Sequence, residues 1–449
     1  MASASVPISR RKALTALAGA SAVMASAREE RSAEPPPTPS WDVAVIGAGV
    51  FGAWTAWHLL RQRKRVLLLD AWGAANSRAS SGGESRLTRT IYGADGIYTR
   101  MAAESLADWR WLSARAGLPV LHATGVLMFF PQHESFAEQS LAVHRELGLP
   151  LEVLARAELE RRYPQMSWDG VEFGLYEADY GVLMARRAVQ TLVAEFVDAG
   201  GEYRVGAVAG PGAPGAPAAP AVGARAGLCA EVAGGEAAAA AGDVLASVRT
   251  SSGERITAQQ FVFACGPWLP KLFPDLLATR IFPTRQEVFF FAPPAGDDRY
   301  GARHLPGWAE FTAGDMYYGM PDLENRGFKI ANDTHGAAFD PDTGERRASR
   351  EGEADVRRYL ASRFPALAQQ PLVETRVCQY ENSANGDFLI DRHPHFENVW
   401  LVGGGSGHGF KHGPAVGRYA AQLVTGQPAA VEPRFSLASK GTRQRREVH

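Results

Sequence analysis

A glycine-rich segment near the C-terminus carries residues that could do chemistry. Residues 404–413 hold five glycines around His408, Lys411 and His412. An apolar run precedes the segment and an apolar-periodic run follows Pro414, so a strand, a glycine loop and a helix are predicted in that order. Backbone amides and a helix N-terminus in such a loop can approach an electron-rich ligand. Tight turns also need glycine, but the added lysine and histidines favour a ligand-binding loop.

A second glycine motif, near the N-terminus, predicts what that ligand is. Gly47, Gly49 and Gly52 follow an apolar strand and precede a helical pattern, and a second apolar strand ends on Asp70. A strand, a glycine turn, a helix and a second strand form the context of a dinucleotide-binding unit. The first two glycines permit close approach of a pyrophosphate, the third permits helix–strand packing, and the acidic residue accepts hydrogen bonds from a ribose. The alternative is a glycine turn that binds no nucleotide.

Lysine and cysteine are rare in this chain, which narrows the candidates for chemistry. Most basic residues are arginine, and Lys329 and Lys411 lie beside apolar or glycine-rich segments, where burial readily lowers the pKa of an ammonium group. The cysteines, Cys229, Cys265 and Cys378, are widely separated and lack metal-ligand spacing, so neither a metal site nor a disulfide framework is predicted. Cys265 ends an apolar run and is predicted to be a packing residue.

Length and charge limit the class of protein. A chain of 449 residues and 48.3 kDa predicts at least two domains. The formal net charge of −1 gives no electrostatic basis for nucleic-acid binding. Beyond residue 40 no apolar run reaches the length of about 18 residues that crosses a bilayer, so no membrane span is predicted.

Residues 1–40 are predicted to be an export signal and a proline-rich spacer. Arg10 and Arg11 form a twin-arginine pattern, which a mild apolar stretch and a small-residue cleavage site at 25–27 follow. The twin-arginine route carries folded proteins, which suits a protein that must load a cofactor before export. The sequence therefore predicts a periplasmic or extracellular location, and a disordered basic N-terminus is the alternative.

The rest of the chain is predicted to form a doubly wound, Rossmann-like α/β dinucleotide-binding domain with an inserted α+β substrate domain. The runs 281–291 and 316–330 alternate in polarity and predict strands of an antiparallel sheet in the inserted domain. The Ala/Gly/Pro-rich segment 208–242 cannot build a core and is predicted to be a flexible surface insertion. The predicted dinucleotide-binding domain comprises 41–120, 176–280 and 372–427, the substrate domain 121–175 and 281–371, and the C-terminal tail 428–449.

These motifs together resemble those of the monomeric sarcosine oxidase and N-methyltryptophan oxidase family, within the D-amino-acid-oxidase superfamily of flavoproteins. The resemblance runs over about residues 41–427 and is specific to the branch with covalent flavin, although no single marker would be. The markers are GAGVFG at 47–52, GESRLTR at 83–89, MYYGMP at 316–321, FKIANDTHG at 328–336, VCQYENS at 377–383, FLIDRHP at 388–394 and GGSGHGFKHG at 404–413.

The resemblance implies that FAD is the cofactor and that Cys378 forms a thioether with the 8-methyl carbon of the flavin; the alternative is a plain core cysteine. Arg86 would lie over the flavin face, and the glycine loop would wrap its pyrimidine edge. Arg89 and Lys411 would clamp a substrate carboxylate, and Lys329 would act on dioxygen as a fixed cation. The implied cofactor-binding residues are Gly47, Gly49, Gly52, Asp70, Ser81, Arg86, Gly266, Cys378, Gly405, Gly407 and Lys411; the substrate-binding residues are Arg89, Lys411, Tyr380, Asp333 and Thr284; the catalytic residues are Lys329, Arg86, Arg89, Lys411 and His408.

Some positions depart from the pattern of the family's sarcosine oxidases. Asp333 stands where they have a histidine, Thr284 where they have a tyrosine, and Ser81 and Gly82 replace a histidine pair. These departures leave the flavin chemistry in place but argue against sarcosine itself as the substrate. Asp333 could pair with a second cationic group on the substrate.

The resemblance therefore implies oxidation of a secondary, N-methyl or N-alkyl, amino acid. The resulting imine would hydrolyse to an aldehyde and an amine, and dioxygen would become hydrogen peroxide. The expected partners are a small carboxylated amine and dioxygen, and the expected state is a monomer. Two alternatives stay open: an exported flavin amine dehydrogenase with another electron acceptor, and a flavin-binding protein without turnover. Lys329 argues against the first, and Arg89 with Lys411 against the second.

Overall fold

The computed structural model describes residues 40–132, 134–208, 242–312, 315–429 and 431–444, so the predicted export signal and residues 209–241 of the predicted insertion lie outside the described residues. The strands are β1 (Trp41–Ile46), β2 (Val66–Asp70), β3 (Ser85–Thr88), β4 (Leu121–His122), β5 (Val126–Phe130), β6 (Glu152–Ala155), β7 (Phe173–Glu177), β8 (Gly181–Met184), β9 (Glu202–Val205), β10 (Ser247–Arg249), β11 (Arg255–Phe263), β12 (Ile281–Phe291), β13 (Gly307–Thr312), β14 (Asp315–Met320), β15 (Phe328–Asn332), β16 (Leu372–Ser383), β17 (Leu389–Arg392) and β18 (Val399–Gly403). The α-helices are α1 (Val50–Arg61), α2 (Gly96–Arg115), α3 (Ser135–Leu147), α4 (Arg156–Arg162), α5 (Ala185–Asp198), α6 (Leu269–Leu272), α7 (Pro274–Leu277), α8 (Arg350–Arg363) and α9 (Gly413–Val424).

The first sheet has five parallel strands in the order β18-β11-β1-β2-β9, with β17 and β10 antiparallel at β18 and β11. Strand β1 is buried on both faces, as its continuous apolar run requires. Val43 and Val45 pack in one core with α1, α5 and α9, while Ala44 and Ile46 pack in a second core with residues of 245–281. Cores on both faces of a parallel sheet confirm the doubly wound α/β fold.

Helices α1 and α9 pack closely because α9 presents glycine to Trp54 at two successive turns. A Cβ atom on Gly413 would lie 2.8 Å from Cδ1 of Trp54, and one on Gly417 would lie 2.5 Å from its Cβ. Both helices follow strands of the parallel sheet, β1 and β18, so their N-termini meet at the same edge of that sheet. This edge, outside the carboxyl ends of the strands, is where doubly wound folds bind their ligands.

The second sheet has eight strands in the order β16-β12-β15-β14-β13-β5-β7-β6 and is antiparallel except between β13 and β5. The predicted strand 316–330 is in fact two strands, β14 and β15, because Glu324 and Asn325 adopt left-handed backbone conformations in the turn between them. Strand β16 belongs to this sheet, although 372–427 is predicted to lie in the dinucleotide-binding domain. The predicted domain boundaries stay a prediction.

The register of the second sheet places most of the predicted chemistry on one of its faces. Thr284 lies opposite Tyr380, and the next pair along is Gln286 with Cys378. Lys329 lies opposite Phe290 of β12. Phe290 and Thr284 are separated by an even number of positions along β12, so their side chains lie on the same face. Because side chains alternate along a strand and opposite residues share a face, Thr284, Lys329, Cys378 and Tyr380 project from the same face. A third, three-stranded sheet, β3-β8-β4, carries Arg86 on β3.

The predicted C-terminal tail is packed along its described part. Phe435 is buried in the core beside α1 and α9. Arg434 forms ion pairs with Asp95 and Asp387, and the buried Lys440 donates hydrogen bonds to Oδ1 of Asn385 and to the carbonyl of Arg434.

Among the described helices, none combines the length and the apolar composition needed to cross a bilayer.

A buried ion pair provides a test of how the second sheet is held to α8. Nη2 of Arg363 lies 2.5 Å from Oε1 of Glu310, and both side chains are at most 9% exposed. Removing one partner of a buried pair leaves the other charge uncompensated, so Arg363→Ala should lower the free energy of unfolding by about 3–5 kcal/mol. Arg161→Ala removes a solvent-exposed pair with Glu158 and should leave the free energy of unfolding nearly unchanged. Urea unfolding followed by tryptophan fluorescence measures both, and equal effects would contradict the assignment.

Candidate functional site

The glycine turn after β1 is required by backbone packing at two of its three positions. Gly47 has φ of 103°, and a Cβ on it would lie 2.4 Å from the carbonyl oxygen of Ala264. A Cβ on Gly52 would lie 1.8 Å from the carbonyl oxygen of Gly47. At Gly49 the nearest atom to an added Cβ is Oγ of Ser81, at 3.7 Å. Gly49 therefore leaves room beside the N-terminus of α1 that the protein itself does not fill.

Ser81 and Asp70 hold the two ends of this turn. Oγ of Ser81 accepts a hydrogen bond of 3.1 Å from the amide of Val50, in the first turn of α1. Oδ2 of Asp70 accepts from the amide of Ala48 at 2.9 Å, and Oδ1 accepts from the amides of Trp72 and Gly73 at 3.0 Å. Burial raises the pKa of Asp70 in spite of these donors. The carboxylate thus fixes the turn, and a ribose hydroxyl would share oxygens that already accept backbone amides.

A cleft of about 1260 Å³, including space open to solvent, runs along the carboxyl ends of the parallel strands. Its lining includes the glycine turn after β1, the end of β2, the loop after β11 and the glycine loop after β18, so it runs along the edge where a doubly wound fold binds a dinucleotide. The predicted site residues that line the cleft are Gly47, Gly49, Asp70, Ser81, Arg86, Gly266, Cys378, Tyr380, Gly405 and Gly407. The predicted residues outside that lining are Gly52, Thr284, Lys329, Asp333, Arg89, His408 and Lys411.

Cys378 and Arg86 meet at one wall of the cleft although different sheets carry them. Nη2 of Arg86 lies 3.5 Å from Sγ of Cys378, and it donates a hydrogen bond of 2.5 Å to the carbonyl of Ser80. The guanidinium also lies 5.9 Å from the ring centre of Phe410, in the glycine loop. Arg86 thus connects Cys378 of the second sheet with the glycine loop after β18.

Lys329 is buried behind Arg86. Its ammonium group donates hydrogen bonds to the carbonyl and hydroxyl oxygens of Ser85, at 2.7 and 3.3 Å. The side chain is 2% exposed. Burial, followed by repulsion from Arg86, holds the pKa of Lys329 well below its usual value. Neither acceptor carries a charge, so negative charge that appears nearby would stabilise the protonated form.

Lys411 lies in a second buried cluster, which Tyr92 organises. Its ammonium group donates to the hydroxyl of Tyr92 at 2.6 Å and to the carbonyl of His408 at 2.9 Å. The guanidinium of Arg89 stacks 4.4 Å from the ring centre of Tyr92, and Nε2 of His412 lies 2.7 Å from the tyrosine hydroxyl. Burial and then repulsion from Arg89 lower the pKa of Lys411. The structure therefore brings the two predicted carboxylate-binding cations to one aromatic residue, with Arg89 over the ring of Tyr92 and Lys411 at its hydroxyl group.

His408, which is predicted to be catalytic, is buried beside Tyr92 and does not line the cleft. Its ring stacks on Phe388 with 5.0 Å between ring centres, Nδ1 lies 3.3 Å from the hydroxyl of Tyr92, and Nε2 lies 3.2 Å from the carbonyl of Gly386. These contacts are those of a residue that holds Tyr92 in place. A direct catalytic role for His408 remains a prediction.

Asp333 and Tyr380 form the polar part of the second sheet's face. The hydroxyl of Tyr380 donates a hydrogen bond of 2.5 Å to Oδ1 of Asp333. Burial, and then the negative charge of Asp333, raise the pKa of Tyr380. The hydroxyl of Thr284 accepts from Nδ2 of Asn382 at 2.8 Å and donates to Gln286. Thr284 thus shares the face of Tyr380 while its own hydroxyl is engaged within the β12–β16 pair.

Four residues of the site have no role among the sequence-based assignments: Tyr92, His412, Tyr318 and Glu381, although the last three lie within the quoted motifs. Tyr92 follows Arg89 closely in the chain, but nothing local indicates that it contacts Lys411. Tyr318 lies 5.8 Å, ring centre to ammonium, from Lys329. Glu381 lines the cleft and stands three residues after Cys378, so an acidic residue so near the predicted cofactor attachment point is the one signal that could have found it.

Comparisons with known proteins bear on the family and the fold. The family model described as FAD dependent oxidoreductase matches residues 42–423. The monomeric sarcosine oxidase of Arthrobacter sp. (strain TE1826) is 28% identical over 414 residues, which cover 91% of this chain and 98% of that one. The N-methyl-L-tryptophan oxidase of Yersinia pestis (strain Pestoides F) is 26% identical, with 89% and 99% covered. The crystal structure of L-proline dehydrogenase from P.horikoshii has a TM-score of 0.72 at 17% identity, with 89% and 97% covered, and shares the fold.

The glycine turn generates a test that separates packing from ligand binding. Gly52→Ala places a Cβ against the backbone of Gly47 and should lower the thermal midpoint of unfolding of the cofactor-free protein. Gly49→Ala meets no protein atom closer than 3.7 Å, so that midpoint should stay within about 1 °C of wild type. Its methyl group enters the space for the pyrophosphate, so the FAD content of purified protein should fall at least about tenfold, which is about 1.4 kcal/mol. Wild-type FAD content in Gly49→Ala would contradict this site.

Proposed function

The chain belongs to the family of FAD dependent oxidoreductases, and on that premise we propose that it is an oxidase of secondary, N-methyl or N-alkyl, amino acids. The observation that carries the proposal is the pair of buried cation clusters beside the cleft, one around Lys329 and one around Lys411. The Lys329 cluster lies next to Arg86, which contacts Cys378 in the wall of the cleft. In the Lys411 cluster, Lys411 and Arg89 both contact Tyr92. Relatives that act on sarcosine or N-methyltryptophan by name support the substrate class.

The residues of the cleft fit FAD. Gly49 leaves space at the N-terminus of α1, where backbone amides and the helix dipole favour a pyrophosphate. From there the cleft continues past Gly266 and Gly405 to the wall with Arg86 and Cys378. When bound there, FAD would supply the two-electron oxidation of the C–N bond, which no side chain can perform. The overall reaction converts a secondary amine, water and dioxygen into an aldehyde, a primary amine and hydrogen peroxide.

Substrate binding is assigned to Arg89, Lys411 and the Asp333–Tyr380 pair. A guanidinium and an ammonium group that both contact Tyr92 suit the two oxygens of one carboxylate, because charge-assisted hydrogen bonds are stronger than neutral ones. Asp333 would pair with a second cationic group of the substrate, and its hydrogen bond from Tyr380 fixes the carboxylate for that contact. This residue set favours a carboxylated amine with additional positive charge over sarcosine itself.

Lys329 is assigned to dioxygen. Its ammonium group is held by Ser85, one residue from Arg86, so it is fixed before negative charge develops on the oxygen. The dehydrogenase alternative requires no such cation, and the non-catalytic alternative requires no carboxylate clamp. We further propose that the protein acts as a monomer and is exported, on the basis of the twin-arginine pattern at Arg10 and Arg11.

Covalent attachment of FAD through Cys378 is the first prediction of this proposal. The C–S bond would replace the S–H bond of Cys378 and one C–H bond of the 8-methyl group, and dioxygen would take up the two hydrogens as hydrogen peroxide. Acid precipitation should leave yellow flavin in the protein pellet, and Cys378→Ala should release all of it to the supernatant. Cys265→Ala is the matched control, since Cys265 also lines the cleft and should leave attachment unchanged. Free flavin from wild-type protein would contradict the linkage.

Variants of the two cation clusters should slow different half-reactions, flavin reduction for Arg89 and reoxidation for Lys329. Losing a charge-assisted hydrogen bond costs roughly 1.5–3 kcal/mol, so Arg89→Ala should raise the dissociation constant for anaerobic flavin reduction by about ten- to a hundredfold. Lys329→Met should leave that step nearly unchanged and slow reoxidation by dioxygen about 100- to 1,000-fold. Stopped-flow spectroscopy measures both steps, and each variant is the control for the other. Reoxidation of Lys329→Met at the wild-type rate would favour the dehydrogenase.

A further inference from the structure

Glu381 is a buried acidic residue of the cleft that none of the assigned roles uses. Its side chain belongs to β16 and lines the same cleft as Cys378. The residue is 7% exposed, and Oε1 has no hydrogen-bond donor among the described residues. Burial raises the pKa of Glu381 to about 7, although the backbone amides of Gly404 and Gly405 stabilise its charged form. A buried polar atom without a partner is costly, so a donor from a ligand is expected there.

The strand order shows where along the cleft this carboxyl group lies. The order β2, β1, β11, β18 brings four loops side by side: Asp70 ends β2, Gly47 follows β1, Gly266 follows β11 and Gly403 ends β18. Neighbouring strands lie about 4.8 Å apart, so these loops form successive steps across the floor. A Cβ on Gly403 would lie 2.3 Å from Oε1 of Glu381, and one on Gly266 would lie 3.9 Å from Oε2. The carboxyl group therefore sits at the β11 and β18 steps.

Each step corresponds to one part of FAD. Asp70 marks the adenosine ribose and the N-terminus of α1 beside Gly49 marks the pyrophosphate. Cys378 and Arg86 mark the ring system at the far wall. The part of FAD between pyrophosphate and ring is the ribityl chain, which carries three hydroxyl groups. A carboxylate repels phosphate, but it accepts hydrogen bonds from hydroxyl groups.

We propose that the carboxylate of Glu381 accepts a hydrogen bond from a ribityl hydroxyl of FAD and thereby positions the cofactor between its two ends. The proposal rests on FAD occupying this cleft, as in the proposed function, and is independent of the substrate and of the electron acceptor. The ligand hydroxyl supplies the donor that Oε1 lacks. The glycines at 266 and 403 leave the space that the carboxyl group occupies, since a side chain at Gly403 would displace it.

The test compares FAD with its 2′-, 3′- and 4′-deoxyribityl analogues. Full-length Cys378→Ala protein, freed of flavin, is titrated with each ligand while flavin fluorescence is recorded, so that covalent attachment does not mask affinity. With Glu381 present, one analogue should bind about ten- to a hundredfold more weakly than FAD, because the missing hydroxyl group leaves a buried carboxylate without a donor. In Glu381→Ala, FAD and that analogue should bind within about threefold of each other. Glu381→Gln keeps an acceptor oxygen and should retain part of the discrimination.

Two controls make the result specific. Gln379→Ala alters a neighbouring cleft residue whose amide donates to the carbonyl of Arg78, and it should keep the full discrimination. Competition by ADP, which lacks the ribityl chain, should be the same with and without Glu381. Equal affinity for FAD and all three analogues when Glu381 is present, or unchanged discrimination in Glu381→Ala, would overturn the proposal. Failure of the Glu381-containing protein to bind FAD at all would instead overturn the proposed function.

Discussion

Burial of positive charge beside one cleft is the constraint on which the rest of the structure depends. The ammonium groups of Lys329 and Lys411 are removed from water, and their hydrogen-bond acceptors are neutral: Ser85, Tyr92 and the carbonyl of His408. An unpaired buried ammonium group is unfavourable, which is why the pKa values of both lysines fall. A ligand that brings or develops negative charge stabilises both groups. The cleft is thus built to receive negative charge.

The two sheets divide this task. The parallel sheet supplies the floor, where glycine loops after β1, β11 and β18 let a dinucleotide approach the backbone. The mainly antiparallel sheet supplies a face on which alternation places Lys329, Cys378 and Tyr380 together. Strand β3 of the third sheet joins them, since Ser85 holds Lys329 and Arg86 lies beside Cys378. These candidate site residues therefore lie at the junction of three sheets.

The sequence predicted the parts of the site whose signals are local. The glycine turn, α1 and β2 follow one another within 30 residues, from 41 to 70, and their order is enough to identify a dinucleotide-binding unit. Local patterns could not predict where the cations lie in the site. Lys329 contacts Ser85, 244 positions away, and Lys411 contacts Tyr92, 319 positions away. Glu381 escaped prediction for the same reason, since Gly266 and Gly403 define its surroundings. Assigning β16 to the second sheet likewise required the register with β12.

The midpoint potential of the bound flavin tests the central claim most directly. Buried cations at fixed positions favour the addition of electrons to a ring beside them, because the low-dielectric surroundings strengthen the attraction. The potential of FAD in the purified protein, measured anaerobically by dye equilibration, should therefore be more positive than that of free FAD at the same pH. A potential equal to or below that of free FAD would contradict a cleft built to receive negative charge.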